Sequence, residues 1–319
     1  MDLLDVIRSL PQQIREGVQL GKSIKLTGTF SNIVVAGMGA SGIAGTLLKS
    51  ALPECAVPIV VARDHALPGF VSNNTLVFVL SHSGNTEETI AAFKEAQKKR
   101  ASIVVLTSGG KLRELARQHN ILLVPVPGNI LSRNAVAYFL FAMLAILHNA
   151  GIAALDVAET KAAIAALGNP ALEQKAKQLA EELSDKIPLI YAATHLEGVA
   201  LRWKQQFNEN AKLHAFYNAF PELNHNELAA YERAKGEFHV IVLRDEHDTQ
   251  QNKKRTDFLK EILKEKKIPV TEIVLKGTQP LVKILTALHL GDLTTYYLAK
   301  KHGVDPVETK IIDELKKNT

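Results

Sequence analysis

A run of strand-forming residues, Thr75-Leu76-Val77-Phe78-Val79-Leu80, stops abruptly at Ser81-His82-Ser83-Gly84-Asn85-Thr86, and a helix-forming segment from Glu87 to Lys99 follows at once. Continuous β-branched and aromatic residues without alternation suit a strand covered on both faces, as in a parallel sheet. The carboxyl end of such a strand carries Ser81, Ser83 and Thr86 to a helix N-terminus, where backbone N–H groups lack partners and the dipole favours an anion. Gly84 lets the backbone come close to a ligand. The stretch reads as a phosphate cradle built from hydroxyls and amides, with no lysine in it.

The rest of the first half repeats this unit. Ile33–Ala36 runs into Gly37-Met38-Gly39-Ala40-Ser41-Gly42, and a helix follows through about Ser50. The spacing Gly37-x-Gly39-x-x-Gly42 formally matches a dinucleotide-binding fingerprint, but the acid expected on the next strand, Asp64, comes late. A glycine turn without any ligand is the alternative. Strand-like Pro58–Ala62, Leu76–Leu80, Ile103–Leu106 and Leu122–Val126 alternate with helical Glu87–Lys99 and Lys111–His119. That alternation predicts a doubly wound parallel sheet with ligands outside the carboxyl ends of its strands. Gly37–Gly42, Ser81–Thr86 and Thr107–Gly110 then face one edge, which points to a polar anion site there. Ser132-Arg133-Asn134 opens the apolar helix Ala135–Leu147. Arg133 reads two ways, as a solvated charge or as a guanidinium fork directed at the same anion.

The chain has 319 residues, enough for two α/β domains, each with its own core. Hydrophobic residues make up 46% and charged residues 22%, as in a soluble globular protein. The net charge of +5 is spread along helices. Without an RNP motif, zinc spacing or basic arm, it suits a small anionic substrate rather than nucleic acid. Cys55 is the only cysteine, which excludes an intrachain disulfide and a cysteine zinc site and suits a reducing compartment. The first residues lack the layout of a signal peptide, and Ala135–Leu147 is too short to span a bilayer. The expectation is a cytoplasmic protein with no membrane contact, no metal and no cofactor.

From Gly151 to about Leu183 the composition shifts to Ala, Lys and Glu, broken by Gly168-Asn169-Pro170. Two linking helices are expected here, with the domain boundary at their start, giving domains 1–150 and 151–319. The second half repeats the alternation, with strands at Leu189–Ala193, Ala215–Asn218, Phe238–Leu243 and Val270–Leu275. It has no serine-rich turn, a pattern that fits duplication followed by specialisation. Its acid–base candidates are Glu209, at a helix end between Asn208 and Asn210, and His225, between Asn224 and Asn226 in a loop. Flanking amides and Phe207 would orient and partly desolvate Glu209 as a general base, against the alternative of a solvated surface charge. For His225 the alternative is an ordinary surface or structural histidine. Helices are expected over Leu281–Lys301 and Asp305–Lys316, with Thr309 and Lys316 sharing a face of the second.

The Gly37–Gly42 turn and Ser81-His82-Ser83-Gly84-Asn85-Thr86-Glu87-Glu88-Thr89 resemble the sugar isomerase (SIS) domain, a family that binds phosphosugars. Phe207-Asn208-Glu209-Asn210-Ala211-Lys212, Pro221-Glu222-Leu223-Asn224-His225-Asn226-Glu227 and the ending from Gly303-Val304-Asp305-Pro306 to Leu315-Lys316 are similar to the bifunctional phosphoglucose/phosphomannose isomerases. The resemblance implies an α/β chain of two SIS domains, each a flavodoxin-like doubly wound parallel sheet flanked by helices. It implies that Ser41, Ser81, Ser83 and Thr86 hold the phosphate, with Gly39 and Gly42 shaping the turn beside them. Arg133 would steady an enediolate, Glu209 would move the proton, and His225 would open the sugar ring from the partner subunit of a homodimer. Lys316 would contact the sugar near its ring oxygen, and Thr309 matches a small residue that leaves room for either epimer at C2. Where that family often has Pro-Arg-x-Ala-Leu-Gly-Tyr, this chain has Ser132-Arg133-Asn134-Ala135-Val136-Ala137-Tyr138. The resemblance thus implies interconversion of glucose 6-phosphate, and mannose 6-phosphate, with fructose 6-phosphate. The alternatives are a non-catalytic sugar-phosphate sensor and, resting on the Gly37–Gly42 turn alone, a nucleotide-binding oxidoreductase.

Overall fold

The structure, a computed structural model, describes residues 2–318. The chain divides into two compact units, Arg8–Ile164 and the chain from Ala165 onward together with the residues before Arg8. The amphipathic pattern at the start forms two helices rather than one. α1 (Leu3–Arg8) stops at Ser9, and α2 (Leu10–Lys22) begins with Pro11 in its first turn, where a missing N–H costs nothing.

The first unit continues as β1 (Asn32–Ala36), α3 (Gly39–Ala51), β2 (Ile59–Ala62), β3 (Thr75–Ser81), α4 (Glu87–Lys98), β4 (Ser102–Thr107), α5 (Gly110–Gln118), β5 (Leu122–Pro125), α6 (Val136–Asn149) and the start of α7 (Val157–Leu167). The five strands are parallel in the order β2-β1-β3-β4-β5, the flavodoxin-like winding. β3 lies at the centre and every one of its residues is buried, as its unbroken apolar run requires. One face, with Val34, Val77, Val79 and Val105, packs on Phe93 of α4 and Leu112 of α5. On the other, Gly45 of α3 lies so close to Val35 that a Cβ there would sit 2.8 Å from it. Gly17 does the same for α2 against α6, where a Cβ would come within 2.9 Å of Phe141 Cβ and 3.0 Å of the Ala137 carbonyl.

The second unit runs α8 (Pro170–Glu182), β6 (Ile187–Ala193), α9 (Glu197–Glu209), β7 (Phe216–Phe220), β8 (Phe238–Asp245), α10 (Gln250–Glu265), β9 (Val270–Leu275), α11 (Pro280–Lys301) and α12 (Lys310–Asn318). Its sheet is also parallel, in the order β7-β6-β8-β9, which reproduces the winding of the first four strands of the first unit. Tyr191, Val240 and Val242 form its core with Leu259 and Leu263 of α10. The sequence pattern expects the last helix over Asp305–Lys316, but it starts at Lys310. The Asp305 carboxylate accepts the Val307 N–H at 2.7 Å, so Asp305 and Pro306 form a turn, and Thr309 supplies the carbonyl that takes the Asp313 N–H at 3.0 Å.

α9 and α11 pack face to face through Trp203, which is fully buried and donates its indole N–H to the Ala287 carbonyl at 2.8 Å. A Cβ at Gly291 would lie 2.4 Å from the Trp203 indole nitrogen. Gly291→Ala is therefore expected to lower stability by about 1–3 kcal/mol through overpacking, read as a lower denaturant midpoint with an unchanged slope.

Candidate active site

At the carboxyl edge of the first sheet, the Ser81 hydroxyl accepts the Gly84 N–H at 3.0 Å and lies 2.9 Å from the Thr86 hydroxyl. Ser83, which is exposed, accepts the Asn85 N–H at 3.3 Å. Thr86 is the residue preceding α4, yet its side chain makes no capping bond to the helix. The loop thus gathers the Ser81 and Thr86 hydroxyls beside the N-terminus of α4, an arrangement suited to an anion.

The neighbouring turn supports this loop from behind. Gly84 has a φ of +73°, and a Cβ on it would lie 1.8 Å from the Gly109 carbonyl oxygen. Gly110, at φ +68°, is crowded too, with a Cβ there 2.3 Å from the Ser83 carbonyl oxygen. The Ser108 hydroxyl donates to the His82 carbonyl at 2.6 Å, and the Leu112 N–H to the Gly84 carbonyl at 2.8 Å. Thr107–Gly110, which the sequence counts among three ligand-facing turns, is therefore tied to the Ser81–Thr86 loop through its own backbone. His82 donates from Nε2 to the Pro127 carbonyl at 2.9 Å; burial pushes its pKa down against the opposing pull of that bond.

Ser41 is buried at the start of α3, and Gly37 lies between it and β3: a Cβ there would meet the Leu80 carbonyl at 2.9 Å and Ser41 Cβ at 3.0 Å. The Gly37–Gly42 turn thus stands beside the Ser81 loop. Gly39 needs its φ of +51°, and Gly42 needs the missing Cβ, which would lie 2.5 Å from the Gly37 carbonyl. The strand end where a dinucleotide fold keeps its acid holds Arg63, which donates to the Gly42 carbonyl at 3.3 Å and to the Thr46 hydroxyl at 2.5 Å. Asp64 is exposed and accepts only from the next residue's N–H among the hydrogen bonds resolved, at 2.6 Å. Arg133 occupies a short 3-10 turn, Ser132–Asn134, and is buried, so the solvated reading is excluded. The altered segment around it is held by Tyr138, which donates to Glu16 on α2 at 2.6 Å; burial, then that bond, raises the Tyr138 pKa.

In the second unit, Glu209 is the last residue of α9 and half-buried. The peptides on either side of it are fixed: Asn208 donates to the Leu213 carbonyl at 2.7 Å and Asn210, fully buried, to the Thr295 hydroxyl of α11 at 3.0 Å. Lys212 bridges the Glu209 carbonyl at 2.5 Å and the Glu308 carbonyl at 2.6 Å, bringing the residue before Thr309 to the end of α9. The Thr309 hydroxyl and the Lys316 ammonium both face Asp313, at 3.3 and 3.7 Å, with Lys316 on the surface. His225 ends a 3-10 turn, Glu222–His225, with its side chain exposed.

The carboxyl edge of the second sheet has its own polar cluster, which the sequence reading did not single out. β1 and β3 pair Ala36 with Val79, and β6 and β8 pair Ala192 with Leu243. Two residues further along, Ser81 in the first unit matches Asp245 in the second. Asp245 is buried and accepts from Lys283 at 2.7 and 2.8 Å, from His195 at 2.8 Å and from the His247 N–H at 2.8 Å. Burial alone would raise its pKa, but the Lys283 ammonium with the other two donors outweighs burial and holds it below the usual carboxylate range. The second unit thus fills its anion position with its own carboxylate. Among the described residues no group of His, Cys, Asp or Glu is arranged to hold a metal ion, and no helix is long and apolar enough to cross a membrane.

Two flavodoxin-like sheets, one with an open hydroxyl-lined loop at its central strand, define a double SIS-domain protein. Residues 30–150 match the SIS domain family and residues 172–318 the bacterial phospho-glucose isomerase C-terminal SIS domain. The bifunctional phosphoglucose/phosphomannose isomerase of Caldicellulosiruptor bescii is 34% identical, over 98% of both chains. That of Thermoplasma acidophilum is 36% identical over 99% of this chain and 97% of its own. The C-terminal domain of glucosamine-fructose-6-phosphate aminotransferase from Francisella tularensis superposes with a TM-score of 0.73 at 18% identity, over 96% of this chain and 97% of that one. The chain belongs to the bifunctional phosphoglucose/phosphomannose isomerase family.

Gly84→Ala adds a methyl against the Gly109 carbonyl in a conformation that L side chains avoid. It is expected to weaken inorganic phosphate and hexose 6-phosphate binding together, measured by titration calorimetry, while the second unit's Trp203 fluorescence is unchanged. Removing Asp245 strands a buried ammonium, so Asp245→Ala is expected to cost about 3–5 kcal/mol. Because the folded-state pKa of Asp245 lies below its unfolded value, the pair stabilises above ordinary aspartate titration and fades as pH falls toward the folded value. In thermal melts the gap between wild type and variant is expected to be full at neutral pH and to narrow as pH falls below the ordinary aspartate range.

Proposed function

We propose that this chain isomerises glucose 6-phosphate and mannose 6-phosphate to and from fructose 6-phosphate through a cis-enediolate. The observation that carries the reading is the Ser81–Thr86 loop, which sets two hydroxyls beside a helix N-terminus, in a chain of this family. Domain 1–150 supplies phosphate binding through Ser41, Ser81, Ser83 and Thr86, with Gly39 and Gly42 shaping the adjoining turn. Held at its phosphate, the sugar has its reacting carbons oriented by binding energy gained away from them. Domain 151–319 supplies the acid–base groups. His225 moves a proton at the ring oxygen or anomeric hydroxyl, and Glu209 carries the proton between C1 and C2. Arg133 offsets the charge that develops on the enediolate oxygens, and its burial strengthens that effect. Lys316 contacts the sugar near its ring oxygen, and Thr309 leaves space for either configuration at C2.

The active form in this reading is a cytoplasmic homodimer with His225 contributed across the interface, working in glycolysis or gluconeogenesis. Asn208, Asn210 and Lys212 support the role of Glu209 by fixing the backbone that presents it.

Glu209→Gln is expected to lower turnover by about 10²–10⁴-fold while 6-phosphogluconate binds as in wild type. The check is a coupled assay on glucose 6-phosphate and mannose 6-phosphate with calorimetric titration of 6-phosphogluconate. Near-normal turnover would remove Glu209 as the base, and wild-type chain inactive on both sugars would return the sensor reading.

A further inference from the structure

The strap that carries His225 is pinned to the sheet within two residues on either side. On the near side Leu223 is fully buried in the core cluster with Tyr191, Phe220 and Val240. On the far side is Glu227, half-buried, with both carboxylate oxygens tied to strands. Oε1 accepts the Tyr191 hydroxyl of β6 at 2.5 Å, and Oε2 accepts the Asn218 amide of β7 at 2.6 Å. The Tyr191 oxygen also lies 2.6 Å from the Tyr231 hydroxyl. Since Tyr191 spends its one proton on Glu227, Tyr231 must be the donor in that contact. The chain of donors therefore runs Tyr231 to Tyr191 to Glu227. Burial holds both phenols protonated, Tyr231 at about 12. Between the two anchors, Asn226 accepts the Glu227 N–H at 2.7 Å and donates to Glu222 at 2.8 Å, closing the turn around the exposed His225.

We infer that Glu227 is a positioning residue for His225, fixing the imidazole for ring opening by clamping its strap to Tyr191 and Asn218. The inference rests on the ring-opening role proposed for His225. A carboxylate whose two oxygens each receive a strong, short hydrogen bond is a directional fixture, which the largely apolar seat of Leu223 is not. The clamp has a specific vulnerability. A glutamine keeps the shape but offers an amide donor where a second acceptor is required, and the Tyr191 oxygen already receives Tyr231.

The test separates ring opening from proton transfer. Anomerisation of glucose 6-phosphate is followed by exchange NMR, isomerisation by a coupled assay, and folding by thermal melting, for wild type, Glu227→Gln, Glu227→Asp, Tyr191→Phe, His225→Ala and Glu209→Gln. Glu227→Gln is expected to lower kcat for anomerisation about 10–100-fold, with KM near wild type. Tyr191→Phe is expected to move in the same direction, and Glu227→Asp to recover part of the loss. Glu209→Gln is expected to lose isomerisation and keep anomerisation. Wild-type anomerisation in Glu227→Gln, while His225→Ala loses it, overturns the clamp alone. So does a Glu227→Gln defect in which anomerisation, isomerisation and melting temperature fall together. Wild-type anomerisation in His225→Ala overturns the role of His225, and the clamp with it.

Discussion

A strand covered on both faces is apolar along its middle and leaves its polar residues to the ends, and both halves of this chain follow that pattern. In β3 the first exit from the apolar layer is Ser81, and in β8 the register-equivalent position is Asp245. The same place in the winding thus receives a neutral hydroxyl in one unit and a carboxylate in the other. The hydroxyl brings no charge of its own to the N-terminus of α4, whose dipole favours an anion. The carboxylate draws in Lys283 and His195 and becomes the anion itself. One backbone plan therefore yields an open site and a sealed one through a single side chain at the strand end.

Backbone crowding then decides how the open site keeps its shape. The Ser81–Thr86 loop is braced by the Thr107–Gly110 turn pressed against it, where Gly84 and Gly110 leave no room for a Cβ, and by the Ser108 hydroxyl on the His82 carbonyl. Fixed amides suit anion binding because no reorganisation is needed when the ligand arrives. Arg63, standing where a dinucleotide fold would keep an acid, ties the second glycine turn down through the Gly42 carbonyl and so belongs to the same framework.

Much of this was legible in the residue order because it depends on near neighbours. Apolar runs ending in Gly-Ser clusters locate strands and their carboxyl ends, and the winding follows from the alternation. Glu209 at a helix end and His225 in a turn are equally local features. What could not be read is contact across large separations. That the Thr107–Gly110 turn presses its carbonyl against Gly84 is visible only in the structure, as is the burial that decides between the two readings of Arg133. Lys212 lies within a quoted motif, yet its partner Glu308 is 96 residues away. Asp245 ends β8 as Ser81 ends β3, but the partners that give it meaning, Lys283 and His195, lie 38 and 50 residues away. The last helix failed at its start because Asp305-Pro306 also forms a turn, and a helix N-terminus and an Asp-initiated turn share residue types.

The two acid–base candidates are held by different physics, and the difference follows from where each sits. Glu209 ends a helix whose Trp203 and Phe207 are fully buried, so its position derives from close apolar packing, finished by Asn210 on Thr295. Such packing tolerates changes of charge but not of volume. His225 lies on a strap of 3-10 turns whose apolar anchors, Leu223 and Tyr231, are joined on the far side of the histidine by the hydrogen bonds of Glu227 to Tyr191 and Asn218. Hydrogen bonds tolerate small changes of volume but not a donor exchanged for an acceptor. Position at one group and position at the other are thus sensitive to opposite kinds of substitution. A chain that altered its strap chemistry could move the histidine without disturbing the glutamate, whereas repacking α9 against α11 would shift the glutamate first.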